Sequence, residues 1–84
     1  GEARAREVVR DCLKSYSVEP LDQEACFTSA YSDEPDFEDG CIRAMAERAG
    51  VDFIITRDRA AFVRSTIKTF SPAEFIRAFP IPEE

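Results

Sequence analysis

The sequence predicts an α/β domain in which a small parallel sheet is flanked by helices. An apolar helical pattern over residues 36–49 is followed at once by an extended pattern over 52–56. Three consecutive large side chains, Phe53, Ile54 and Ile55, are typical of a strand that is buried on both faces, as in a parallel sheet. Helical and extended patterns that alternate along a chain favour such a layered domain.

The first predicted element is an amphipathic helix that begins close to the N-terminus. Its apolar residues recur at steps of three and four, which is the spacing of one helix face. They are Ala5, Val8, Val9, Cys12, Leu13 and Tyr16. Residues 18–21 follow as an extended piece that could form an edge strand, because Pro20 disfavours helical geometry at Glu19. Asp22 is then placed to cap a short helix over about 23–31.

The third predicted helix carries the widest apolar surface. Asp36 can cap its first turn, and Gly50 is placed to end it. The inward stripe is predicted at Ile42, Met45, Ala46 and Ala49, and it is widened by Phe37, Cys41 and Ala44. Because so much of its surface is apolar, this helix is expected to pack against a sheet with little of it in water.

The C-terminal part is predicted to add a second strand and a last helix. Residues 60–64 have the pattern of one or two helical turns, and residues 67–70 that of a short strand. The ten residues between the two strands are close to the shortest crossover that a parallel pair allows. A serine, a proline and a glutamate over 71–74 form a capping-box start, which predicts a helix over 71–79.

The charge and hydropathy of the chain exclude several classes of protein. The net charge is −6, from 17 acidic and 11 basic residues. General nucleic-acid coating is not expected, because phosphate contacts need clustered Lys and Arg. No apolar run is long enough for a membrane span, and no leading segment resembles a signal peptide, so we expect a cytoplasmic chain without a membrane partner. The absence of an initial Met suggests a piece of a longer chain.

Cysteine and histidine usage limits the chemistry. Cys12, Cys26 and Cys41 form an odd, widely spaced set without a CxxC pair. Such a set is not typical of a disulfide framework or a zinc site, and we expect small thiols in a reducing compartment. The chain has no histidine. Any catalysis would therefore depend on the acids or the thiols.

An acidic cluster lies at the start of the third predicted helix. Five of the seven residues from 33 to 39 are acidic: Asp33, Glu34, Asp36, Glu38 and Asp39. Helix-terminal N–H groups and the helix dipole stabilise carboxylates in a first turn, and this alone could explain the first three. Glu38 and Asp39 lie in line with the apolar stripe. An acid at the end of a buried stripe needs a cation, a hydrogen-bond donor or a cleft.

Asp58 is the expected partner of this cluster. If the helix over 36–49 leads into the next strand through a short turn, the two elements run antiparallel. Asp39 and Asp58 then meet at the carboxyl end of the strand, where open parallel sheets bind ligands. Carboxylates there suit Mg²⁺ or Mn²⁺, which prefer oxygen ligands. The alternative for Asp58 is a turn residue paired to Arg57 or Arg59.

The order of these motifs resembles the C-terminal half of a PIN domain, a family that includes VapC-type toxin ribonucleases of toxin–antitoxin systems. The motifs are the acid-led helix over 36–50, the strand ending in Thr-Arg-Asp over 51–58, Phe62, the strand over 67–70 and the helix start over 71–75. The resemblance is most specific over 36–75 and makes residues 1–84 a single partial PIN-like domain. It implies a truncated three-layer α/β fold and a metal-dependent endoribonuclease.

The resemblance also implies which residues form the site. Asp39 and Asp58 match catalytic, metal-binding acids of the family, and Thr56 matches a polar residue near the metal. Glu38 is a further candidate ligand of Mg²⁺ or Mn²⁺. Arg57 and Arg59 are candidates for binding phosphate or RNA. The chain departs from the family pattern at Gly40, where the family usually has Ala, and at Ala61, where it often has an acid.

The same resemblance indicates what these residues lack. A PIN domain opens with a strand ending in Asp and adds a Glu from a later helix, and neither is found in this sequence. We therefore expect weak metal binding and no activity from the chain alone, because metal-assisted hydrolysis needs several carboxylates. The expected partners are the missing N-terminal half or further copies of the chain, an antitoxin and, once the site is complete, RNA.

Two other interpretations remain open. The chain could be a non-catalytic, PIN-derived binding or oligomerisation module. In that case the open edge of the first strand would invite association that covers Phe53 and Ile55. It could also be a different small α/β binding domain, in which the acids only cap the helix.

Overall fold

The computed structural model describes residues 1–58, 60–80 and 82. In chain order its elements are α1 (Glu2–Ser15), α2 (Gln23–Ala30), α3 (Phe37–Ala49), β1 (Phe53–Ile55), β2 (Lys68–Phe70) and α4 (Pro72–Ala78). The two strands pair in parallel, with Ile54 opposite Thr69. This arrangement confirms the predicted α/β class, with a small parallel sheet flanked by helices.

Local chemistry explains where the helices begin and end. The side chains of Asp22, Asp36 and Ser71 each accept a hydrogen bond from the backbone N–H three residues later, at 3.0–3.1 Å. Glu74 completes a capping box by accepting the Ser71 N–H at 2.8 Å. Gly50 ends α3 in the left-handed region, with φ of 67°. The predicted caps are therefore confirmed.

The sheet lies between helices α3 and α4. On one face Ile54, Ala61 and Phe62 form a buried cluster, against which Ala46 of α3 and Ile67 pack. On the other face four aromatic rings pack with centroids 5.0–6.2 Å apart: Phe53, Phe70, Phe75 and Phe79. Helix α3 thus covers one face of the sheet and α4 the other.

Helices α2 and α3 pack against each other in an antiparallel pair. Near one end the Ser29 hydroxyl donates to the Phe37 carbonyl at 2.8 Å. Near the other end Arg48 donates to the Asp22 carboxylate at 2.9 Å. Between these contacts Gly40 lies so close to Ser29 that a Cβ at position 40 would collide with the serine side chain. The glycine that departs from the PIN pattern therefore has a packing role.

The buried face of α3 agrees only in part with the predicted one. Cys41 and Ala44 are buried as predicted, together with Gly40. Ile42 is 46% exposed and Phe37 54%, although both were assigned to the inward surface. The prediction was wrong at Phe37 and Ile42 because it considered only a sheet as the neighbour of this helix. The small residues face α2 instead, and part of the large apolar stripe remains in water.

Three predictions about extended and turn segments were also wrong. Residues 18–21 form no strand. Residues 60–64 form turns, since Phe62 has φ of 65°, which is incompatible with a helical turn. Strand β1 is shorter than the predicted 52–56, and it is not buried on both faces because Ile55 is half exposed.

Helix α1 forms as predicted, but none of its residues is buried. Its apolar side chains Val9 and Leu13 are each 56% exposed. The apolar periodicity therefore predicted the helix correctly but did not indicate what covers it. In the part of the chain that the structure describes, no helix combines the length and the apolar character that crossing a membrane requires.

Candidate functional site

A groove of about 180 Å³ lies beyond the carboxyl end of β1. Its lining comes from the segment before α3, the first turn of α3 and the turn after β1: Glu34, Pro35, Asp36, Asp39, Asp58, Ala60 and Ala61. Four of these seven residues are acidic. The groove thus brings Asp39 and Asp58 to one place, as the antiparallel arrangement of α3 and β1 predicted.

Asp39 lies in a strongly negative environment. Its backbone N–H is held by the Asp36 side chain at 3.0 Å, which fixes it in the first turn of α3. Burial raises the pKa of the Asp39 carboxyl, and the negative charges of Asp36, Asp58, Glu34 and Glu38 raise it further. A carboxylate in this position is costly to ionise without a cation, so bound positive charge would be favoured here.

Asp58 is held by the turn that follows β1. Its backbone N–H donates to Thr56 Oγ1 at 3.1 Å, and its Oδ1 accepts the Ala60 N–H at 3.0 Å. Its carbonyl oxygen accepts the Ala61 N–H at 3.3 Å. Asp58 is therefore a turn residue as well as part of the groove lining, so these contacts alone do not require a ligand.

Thr56, Glu38 and Arg57, three further predicted site residues, are not part of the groove lining. Thr56 lines a separate hollow beside β2. Glu38 is exposed and acts on Asp39 only through its charge. Arg57 is exposed, and Arg59 lies outside the described residues. The roles expected for these four residues stay predictions.

The carboxylates of the groove do not form a complete metal site. Among the residues that the structure describes, no group of three or more His, Cys, Asp or Glu is arranged to hold a metal ion. Asp39 and Asp58 together would supply a minority of the six ligands that Mg²⁺ takes. The donor chemistry therefore fits a divalent cation, but these two residues alone would bind it weakly.

Sequence reasoning missed the most deeply buried acid of the groove. The side chain of Glu34 is only 1% exposed. Its Oε2 accepts the Phe62 N–H at 3.3 Å, and its Oε1 lies 3.6 Å from Arg43 Nη1. The helix dipole and the N–H groups of the first turn of α3 were offered as a sufficient explanation for Glu34, but its contacts are with Phe62 and Arg43 instead. Its contact with Phe62 holds the turn after β1 against the segment before α3.

Arg43 also joins the segment before α3 to the chain that follows β1. Its guanidinium donates to Asp33 at 2.7 Å, to Glu47 at 2.9 Å and to the Arg64 carbonyl at 3.0 Å. The Asp33 hydrogen bond, followed by the one to Glu47, holds the pKa of Arg43 above its ordinary value. Spacing could reveal only the Arg43–Glu47 pair, four residues apart on one helix face. The other contacts join residues that only the tertiary fold brings together.

Comparisons with known proteins return no matching protein-family model, no matching curated protein and no matching solved structure. The resemblance to PIN domains therefore depends on the residues of this chain alone. The structure itself shows only that Asp39 and Asp58 line one groove.

Proposed function

We propose that this chain carries two metal-binding carboxylates of a PIN-like, metal-dependent endoribonuclease, of the kind that serves as the toxin in toxin–antitoxin systems. The observation that carries the proposal is the groove that Asp39 and Asp58 line together. The two acids come from different elements, and the carboxyl end of a parallel strand is where such sheets bind ligands. The antitoxin and the RNA sequence are left open by this argument.

The residues of the groove have distinct roles in this proposal. Asp39 and Asp58 bind Mg²⁺ or Mn²⁺ through carboxylate oxygens, and the cation relieves the repulsion that raises the pKa of Asp39. When bound, such a cation would supply a polarised water and neutralise charge at a scissile phosphate. Arg57 lies two residues after the end of β1 and would hold a phosphate of the RNA backbone. Glu34 keeps the turn that carries Asp58 in place.

The chain alone is expected to be inactive. Two carboxylates leave most ligand positions of the cation to water, so the dissociation constant should be no lower than about the millimolar range. The net charge of −6 also opposes the approach of RNA. Further carboxylates from another segment or another chain are needed for a complete site.

Metal titration tests the binding part of the proposal. Mn²⁺ should bind the wild-type chain weakly, as measured by calorimetry or by the loss of the free Mn²⁺ signal in electron paramagnetic resonance. Asp39→Asn should weaken binding several-fold. Asp11→Asn is a matched control, because it removes the same charge from exposed α1. Equal Mn²⁺ affinity in the wild type and Asp39→Asn would contradict the proposed site.

An RNA cleavage assay tests the catalytic part. The chain with Mn²⁺ should show little or no cleavage, and activity should return when a segment with the remaining carboxylates is supplied. Robust cleavage by the chain alone, lost in Asp39→Asn, would mean that these residues already form a complete site. Equal cleavage by both proteins would point to a contaminating nuclease.

A second candidate function, a non-catalytic module that associates with further copies of itself, is favoured by the exposed surface. A folded monomer of this mass has an accessible surface of about 5,000 Å². This chain exposes 6810 Å². Its radius of gyration is 15.0 Å, whereas a compact domain of this length has about 12 Å. Sedimentation over a range of concentrations should detect self-association, and a monomer at every concentration would contradict this candidate.

A further inference from the structure

Two of the three cysteines lie where α2 and α3 pack together. Cys41 is 4% exposed, and Cys26 is half-buried. Ser29, about one turn after Cys26, contacts Gly40, the residue before Cys41. The antiparallel register therefore places both thiols in the same layer of the interface. Burial and then the adjacent Cys41 thiol raise the pKa of the Cys26 thiol.

The two helices are close enough at this layer for their side chains to be joined. The residues that they bury against each other are small: Ala25 and Ser29 on α2, and Gly40 and Ala44 on α3. There is no room for even a Cβ at position 40. A disulfide needs Cα atoms about 4.4–6.8 Å apart, which between helices requires an approach of this kind.

We infer that Cys26 and Cys41 form a redox-sensitive pair that hydrogen peroxide converts into a disulfide between α2 and α3. Cys26 is the more exposed of the two thiols and reacts first, although slowly because its raised pKa leaves little thiolate. Its thiolate sulfur bonds to one peroxide oxygen, the O–O bond breaks, and the departing hydroxide takes up the thiol proton and leaves as water. The Cys41 sulfur then attacks the sulfenic sulfur of Cys26, the S–O bond breaks and a second water leaves. Two thiols are oxidised by two electrons, and one peroxide is reduced to two waters.

The bond would restrain the segment that leads into the acidic groove. The chain between residues 26 and 41 contains the end of α2, the acidic segment and the first turn of α3. Closing a loop of about 15 residues restricts the unfolded chain, and for a domain of this size we expect Tm to rise by about 12–24 °C. This inference does not depend on whether the groove binds a metal.

Peptide mapping of the oxidised chain tests the inference directly. The protein is treated with hydrogen peroxide, remaining thiols are alkylated with iodoacetamide, and the chain is digested with trypsin. Cleavage after Lys14 and Arg43 leaves Cys26 and Cys41 on one peptide and Cys12 on another. The peptide over 15–43 should escape alkylation and be lighter than its reduced form by two hydrogen atoms. Dithiothreitol should restore both alkylation sites.

Three variants and two negative outcomes complete the test. Cys26→Ser and Cys41→Ser should abolish the bond and the rise in Tm, whereas Cys12→Ser, the matched control on α1, should keep both. Two alkyl groups on the 15–43 peptide, at a peroxide concentration that oxidises Cys12, would overturn the inference. A sulfinic acid at Cys26 without a disulfide would do the same. The wild-type map decides the question even if a variant fails to fold.

Discussion

Helices α1 and α3 are similar in length but differ in how they join the rest of the molecule. Helix α1 has 14 residues, no side-chain cap at its N-terminus and no buried residue. Helix α3 has 13 residues, is capped by Asp36 and ended by Gly50, and has three buried residues. Apolar periodicity therefore predicts that a helix forms, whereas burial also requires a surface on another element that fits it closely.

The ion pairs of the two helices differ in the same way. In α1 they join neighbouring turns, as between Arg6 and Glu2 at 3.2 Å, and both side chains are largely exposed. Pairs of this kind contribute little to stability. In α3 the Arg43 side chain is 15% exposed and pairs with residues outside its own helix, including Asp33 and Glu34. We therefore expect substitutions in α3 and in the residues that pack against it to lower stability strongly. Substitutions in α1 should lower it little.

The largest loss is expected from Ile54→Ala in β1. Ile54 belongs to the buried cluster that α3 covers through Ala46. Truncating a buried isoleucine removes apolar contacts and leaves a cavity, so the free energy of unfolding should fall by about 3 kcal/mol. Urea denaturation measures it. Ile76→Ala on α4, where the side chain is exposed, is the matched control and should change it much less.

Glu34→Ala should be the next most destabilising change. It removes the acceptor of the buried Phe62 N–H and one partner of Arg43. Arg43 keeps Asp33 and Glu47, so we expect a loss of about 2 kcal/mol in the free energy of unfolding. Glu7→Ala on α1 should have little effect on the same urea curves. Equal losses in the two variants would mean that the buried connection does not stabilise the fold.

Gly40→Ala tests the close approach of α2 and α3. The added methyl group would displace Ser29 from its hydrogen bond to the Phe37 carbonyl. The cost should exceed the gain in helix propensity and leave a net loss of about 1–2 kcal/mol. Ser29→Gly in the same chain makes room for the methyl group, so a double-mutant cycle should show recovery. Additive losses would contradict the proposed collision.

Local chemistry made much of the fold predictable. The caps at Asp22, Asp36 and Ser71 depend on residues within one turn of each other, so sequence spacing is enough to identify them. The run around Ile54 likewise identified a strand because its large side chains suit a sheet. The meeting of Asp39 and Asp58 followed from the order of α3 and β1, since a short turn reverses the chain direction.

Contacts between distant residues were not predictable in this way. Nothing near Glu34 in the sequence indicates that its carboxylate accepts a hydrogen bond from the Phe62 N–H. Phe62 itself has a positive φ in the turn after β1. The inward face of α3 was predicted only in part, because the partner at Gly40 and Ala44 is α2, whose small residues give a weak apolar signal. The exposure of Val9 was likewise not predictable, because the apolar periodicity of α1 does not reveal whether another element covers its apolar face.

The stability contributions of Asp39 and Asp22 are expected to change with pH in opposite directions. Burial, followed by neighbouring acids, raises the pKa of Asp39, so its ionisation opposes folding and stability is lost as pH rises through the folded pKa. Without metal, Asp39→Asn should therefore raise Tm at neutral pH. The Arg48 hydrogen bond lowers the pKa of Asp22, so the stability that Asp22 contributes is lost as pH falls through its folded pKa. Asp22→Asn should lower Tm at neutral pH.

Thermal unfolding followed by circular dichroism, with a chelator present, separates these two effects. Both differences from the wild type should shrink in acid, where the two carboxyl groups are protonated. Asp11→Asn on exposed α1 removes the same charge and is the matched control at neutral pH. A lower Tm for Asp39→Asn at neutral pH would contradict the account of the crowded groove.

The smallest effect is expected from Val9→Ala on α1. Val9 is half exposed and belongs to a helix without buried residues, so in a monomer the free energy of unfolding should change by no more than about 0.5 kcal/mol. Thermal unfolding at several protein concentrations is the measurement, because association makes Tm depend on concentration. If copies of the chain cover this face, the wild-type Tm should rise with concentration and Val9→Ala should reduce that rise. A small loss, equal at every concentration, would mean that α1 is as unpartnered in solution as in the structure.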